Sequence, residues 1–104
     1  MATRPMRIRA AEKGGITEVK ALMSHLMETG QRKDEEGNVI PAHFIQEVTV
    51  VCNDRTVLKA QWGPAVSRDP FLSFKFEGAG KGDEVTITWL DNEGESRSDT
   101  TKVR

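Results

Sequence analysis

The chain has 104 residues, 37% of them hydrophobic and 30% charged, with a formal net charge of −1. This is the balance of one folded domain spanning residues 1–104, not of a disordered chain, and it lacks the electrostatic footprint of a nucleic-acid or anionic-membrane binder. No stretch reaches the ~20 apolar residues of a membrane span, and the single cysteine, Cys52, excludes an internal disulfide.

The start, MATRPMRIRAAEKGG, holds no apolar run of signal-peptide length. Taken alone, it predicts a cytoplasmic protein or one exported by means not written in its own sequence. Met6, Ile8 and Ala10 alternate with Arg7 and Arg9, the period of a half-buried strand. With Arg4, these arginines read as solvated positions on an edge strand. Gly14-Gly15 supplies a tight reversal into a second strand, Ile16 to Ser24, with Val19, Ala21 and Met23 on one face.

The interval from His25 to Phe44 has no strand-like alternation. It holds both histidines, a charged run, a turn at Glu36-Gly37-Asn38 and a short extended piece, Val39-Ile40-Pro41. Phe44 to Cys52 is the third strand, with Phe44, Val48, Val50 and Cys52 predicted on one face and Ile45, Glu47, Thr49 and Val51 on the other. Asn53-Asp54-Arg55 turns into a fourth strand, Thr56 to Trp62, which aligns Leu58, Ala60 and Trp62. A connection over residues 63–70 precedes the fifth, Phe71 to Phe76, with Leu72, Phe74 and Phe76 aligned.

GAGKGD at 78–83 reads as a plain hairpin turn. It lacks the spacing of a phosphate-binding loop, and no helix follows to receive an anion. The sixth strand points Val85, Ile87 and Trp89 inward, and Asp91-Asn92-Glu93-Gly94 is a hairpin turn. The polar stretch Glu95 to Val103 reads as a final edge strand. Seven short strands with turns between them predict an all-β sandwich.

Three clusters carry chemistry worth weighing. His25, His43 and Cys52, with Met27 near, contain the ligand types of a small copper or zinc site. Set against this, Cys52 lies on a core-facing strand position, and His25 follows Val19, Ala21 and Met23 on their face, where a histidine anchors a loop by hydrogen bonding. Asp34, Glu35 and Glu36 are consecutive, which scatters them over a solvated turn. Gln31, Arg32 and Lys33 sit beside Gly30 and Met27, a composition found both in solvated loops and in protein interfaces. No nucleophile–base pair or carboxylate pair with a positioning partner is legible.

The run Ser24-His25-Leu26-Met27-Glu28-Thr29-Gly30-Gln31-Arg32-Lys33-Asp34, followed by Gly37-Asn38-Val39-Ile40-Pro41 and His43-Phe44-Ile45, resembles the loop of the SoxZ family. The resemblance continues through Gly63-Pro64-Ala65-Val66-Ser67, Asp69-Pro70-Phe71-Leu72 and Ile87-Thr88-Trp89. One departure is Leu26, where the family usually has proline. The resemblance implies an immunoglobulin-like sandwich that is not an enzyme, carries no cofactor and pairs with SoxY, the subunit whose C-terminal cysteine holds the sulfur intermediate of thiosulfate oxidation. It implies periplasmic residence, reached by export together with SoxY. The chain ends Thr100-Thr101-Lys102-Val103-Arg104, without the glycine-flanked cysteine of a carrier arm, so Cys52 is not expected to be the carrier thiol. Met27, Gln31, Arg32, Lys33 and Phe71 are the expected contacts with SoxY or with the pathway enzymes, and Leu22, Leu26 and Leu90 add apolar surface outside the core faces. The alternative is a metal-binding or redox sandwich using His25, His43 and Cys52.

Overall fold

A computed structural model describes residues 3–104; Met1 and Ala2, at the head of the arginine-rich start, lie outside the described residues. These residues form seven antiparallel strands: β1 (Arg7–Lys13), β2 (Ile16–Leu22), β3 (Ile45–Cys52), β4 (Arg55–Gln61), β5 (Phe71–Glu77), β6 (Glu84–Asp91) and β7 (Ser96–Lys102). They make two sheets, β1-β2-β5 and β4-β3-β6-β7, stacked as an immunoglobulin-like sandwich. No helix occurs among the described residues, and so none long and apolar enough to cross a membrane.

Alternation decides which side chains enter the core. Val19, Ala21 and Met23 from β2 and its extension meet Val48 and Val50 of β3 and Val85, Ile87 and Trp89 of β6, all 1% exposed or less. Burying one such large apolar side chain contributes about 1.5–3 kcal/mol relative to leaving it in water. The hairpin between β3 and β4 turns on Asn53 and Asp54, both at positive φ (53° and 60°), residue types that tolerate this conformation. The polar β7 is an edge strand, as its composition predicts.

Two local readings are corrected. In β3 the register shifts between Ile45 and Glu47, so that Gln46 and Glu47 together oppose Leu90. This bulge reverses the parity of the strand's first residue: Ile45 is fully buried, while Phe44, predicted inward, is only half-buried. The glycine-rich turn at 78–83 is not a hairpin turn, because β5 and β6 belong to different sheets. It crosses between sheets, held by Gly80 N–H donating to Asp83 Oδ2 and Asp83 N–H donating to Gly80 O.

Candidate functional site

Strand parity continues past the end of β2. Met23, His25 and Met27 point inward, while Leu22, Ser24 and Leu26 point outward. The His25 imidazole therefore enters the sandwich, edge-on to Trp89 with ring centroids 5.2 Å apart. Its Nδ1 accepts the backbone N–H of Met27 at 3.1 Å. That bond assigns the lone pair to Nδ1 and the proton to Nε2, which donates to Asp91 Oδ2 at 3.1 Å. His43 Nε2 reaches the same oxygen at 2.8 Å, and the two imidazoles meet edge to face at 4.6 Å.

The other oxygen of Asp91, Oδ1, accepts the backbone N–H groups of Glu93 and Glu95 at 3.0 and 2.9 Å. Asp91 is only 2% exposed. Burial works to raise its pKa, but the bonds from His25, His43 and the two amides prevail and hold it below the ordinary 3.8. Two imidazoles and two amides thus converge on one buried carboxylate, forming a clasp at the mouth of the long loop.

The loop is not structureless. Glu28 and His43 exchange backbone hydrogen bonds at 2.7 and 3.0 Å, and Lys33 bridges Val39. Ile40 N–H donates to Arg32 O, and Asp34 accepts the amides of Glu36 and Asn38 on Oδ1 to build the tip. Asn92 binds the returning arm on both sides of His43, donating to Ala42 O and accepting Phe44 N–H. Gly30, at φ 85°, lets the two arms close: a Cβ there would stand 3.1 Å from Ala42 Cβ. The interval read as one long loop with a turn at Glu36-Gly37-Asn38 is a hairpin clamped at its neck.

Of the expected contact residues, Gln31, Arg32 and Lys33 lie exposed on this hairpin, and Phe71, 62% exposed, begins β5 beside its cross-strand neighbour Leu22. Arg32 forks onto Glu28, with bonds of 3.2 and 2.6 Å that lower the Glu28 pKa and raise that of Arg32. Leu22, Leu26 and Leu90 are also exposed. Met27 is placed differently. It is 5% exposed, with φ 51°, and its sulfur accepts the backbone N–H of Ile45 at 3.4 Å. Its side chain shapes the hairpin from beneath and does not face outward.

The ligand set His25, His43 and Cys52 is not assembled. The histidines gather at the Ile45 end of β3, whereas Cys52 ends that strand opposite Val85, about 23 Å away at strand rise. What converges instead is His25, His43 and Asp91, with one ligand-type atom from each within 4.8 Å of the others. A metal on His25 Nε2 would have to displace its proton to Nδ1, where it would confront the Met27 N–H. The donor set fits a hydrogen-bonded clasp and does not fit a metal centre. Burial raises the Cys52 thiol above its ordinary range, as for an inert core cysteine.

Asp91 was the residue hidden within a predicted turn. Its signal is parity: Val85, Ile87, Trp89 and Asp91 fall on one face, so the alternation carries an aspartate inward at the strand's end. Beside the clasp, a cavity of about 270 Å³ opens among Arg4, Ser24, Leu26, Arg68 and Trp89.

A model of the family described as sulphur oxidation protein SoxZ matches residues 6–102. The chain belongs to the SoxZ family. The match spans the sandwich, the clasp and the hairpin together, and it places the chain among proteins of sulfur oxidation. No curated protein matches it.

Proposed function

We propose that the chain is the non-catalytic subunit of a SoxYZ sulfur-carrier heterodimer, which binds a SoxY-type subunit and helps present its thiol-bound sulfur intermediate to the thiosulfate-oxidising enzymes. The observation that carries this reading is the clamped hairpin. The clasp engages both imidazoles in holding structure, and the product is a rigid display of Gln31, Arg32 and Lys33. Rigid presentation lowers the entropy lost on docking. The cationic side chains of Lys33 and of Arg32, the latter paired with Glu28, favour an anionic sulfonate adduct by long-range attraction. Residence in the periplasm, after export as a folded pair with SoxY, belongs to the same proposal.

Co-expression with a SoxY-type subunit, followed by size-exclusion chromatography and native mass spectrometry, tests it. A one-to-one complex is expected. Two separate species at micromolar concentration would remove the heterodimer reading. Within the complex, charge reversal of Arg32 and Lys33 together is expected to slow sulfur transfer to the pathway enzymes, and unchanged turnover would remove the hairpin's part in presentation.

A further inference from the structure

The two sheets are unequal in width, three strands against four. On one side the sandwich is shut: β1 lies against β7, Met6 N–H donates to Asp99 Oδ2, and Arg104 exchanges backbone bonds with Ala10 and Glu12. The opposite side is bounded by β4 and β5. Arg55, which begins β4, donates to Glu77 O at 2.7 Å where β5 ends, and residues 63–70 cross between the same two strands at the other end. Between these ties burial falls away. The core-facing residues of β2, β3 and β6 are essentially sealed, but Leu58 and Ala60 of β4 and Leu72, Phe74 and Phe76 of β5 are only half-buried. With β1 over β7, the three-strand sheet runs out before it covers β4.

The backbone register shows that the edge of β5 is open. Met23 N–H donates to Pro70 O, which makes 23/70, 21/72, 19/74 and 17/76 the hydrogen-bonded pairs between β2 and β5. The intervening residues, Phe71, Ser73, Lys75 and Glu77, therefore turn their amide and carbonyl groups away from β2. The Glu77 carbonyl, which takes the Arg55 guanidinium, agrees with this parity. The edge of β4 is blunted by a bulge, since Val57 is an extra residue between Thr56 and Leu58. β5 has no such interruption.

We propose that the position beside β5 takes a fourth strand, an extended segment of the SoxY-type subunit with an apolar residue at every second position. It would pair with Phe71, Ser73 and Lys75 through the backbone and cover Phe74, Phe76 and Leu58 with alternate side chains. This rests on the heterodimer reading above. The chain's own described ends do not supply the strand: Arg104 is bonded to β1, and the Thr3 hydroxyl accepts from Arg97 in β7, both on the shut side. The open side spans roughly 23 Å along the strand and about 10 Å between the two sheets. That is on the order of a quarter of the ~800 Å² a stable partner covers, and the exposed Phe71 and Leu22 continue the apolar surface beyond it.

Hydrogen exchange of the chain, free and in complex with a SoxY-type subunit, reads the edge directly. The amides of Phe71, Ser73 and Lys75 are expected to exchange fast when free and to become protected in the complex. Ser73→Pro removes one edge donor without touching the β2 ladder, and is expected to weaken the complex about tenfold or more while circular dichroism stays unchanged. Ser73→Ala is expected to bind as wild type. A wild-type complex that neither protects these amides nor responds to Ser73→Pro would overturn strand addition alone. Absence of any wild-type complex would overturn it together with the heterodimer reading, and a homodimer built on the same edge would overturn the choice of occupant.

Discussion

His43 donates Nε2–H to Asp91 Oδ2 at 2.8 Å, tying the last turn of the long hairpin to the end of β6. Asp91 also takes His25 and two backbone amides, so its removal strands two buried imidazole donors and two part-buried amides. Asp91→Ala is expected to cost about 2–5 kcal/mol, since each unsatisfied buried group loses roughly 1–3 kcal/mol and the opened site admits some water. Urea denaturation measures it. A loss under about 1 kcal/mol, the worth of a single ordinary hydrogen bond, would mean that the clasp is not an organising element.

The same carboxylate sets a pH dependence. Its folded pKa lies below the ordinary 3.8, so the folded state binds fewer protons than the unfolded one near that value. The contribution is present above the unfolded pKa and is lost as pH falls through the folded pKa. Asp99, lowered chiefly by its hydrogen bond from Arg97, acts in the same direction. Unfolding free energy measured between neutral pH and pH 2 is expected to fall more steeply below about pH 4 in wild type than in Asp91→Asn. Parallel curves would contradict this.

Gly30→Ala is expected to loosen the hairpin. The position combines φ 85° with a Cβ contact of 3.1 Å to Ala42, so strain and crowding together cost about 1–3 kcal/mol. Gly37, at φ 83° but with open space around its Cβ position, is the control, and alanine there is expected to cost about 1 kcal/mol. Amide exchange at Glu28 and His43 reports the difference. Equal effects at both positions would show that the two arms do not press together.

Arg32→Ala is expected to leave the melting temperature essentially unchanged, because an exposed ion pair contributes little; the Arg32 side chain is 63% exposed in its pairing with Glu28. Its effect belongs to binding. A large drop in melting temperature would instead give Arg32 a structural part.

Cys52 is 2% exposed and its thiol is held in the protonated form by burial. Alkylation by iodoacetamide at pH 8 is expected to proceed only through unfolding, at a rate that rises with urea in step with the unfolded fraction. Fast labelling in native buffer would place the thiol at the surface.

The strands are legible in the sequence, because period-two alternation is a local property that each segment carries alone. Val19-Ala21-Met23 and Val85-Ile87-Trp89 are core faces in the structure as in the pattern, and the polar Ser96–Lys102 is an edge. Family resemblance, carried by the Ser24–Asp34 run and the stretches that follow it as far as Trp89, is also a property of the string. The remaining features arise only where segments distant in the chain meet. Ile45 replaces Phe44 inside because a one-residue bulge is set by pairing with β6, which no single strand encodes. Asp91 becomes a hub only when β6 brings it beneath two histidines that lie 66 and 48 residues earlier in the chain. Burying a carboxylate is favourable only where donors converge, and that convergence is a product of the fold. The open edge of β5 has the same origin: the strand is legible locally, but which of its sides stays unpaired depends on its pairing with β2, some fifty residues earlier in the chain.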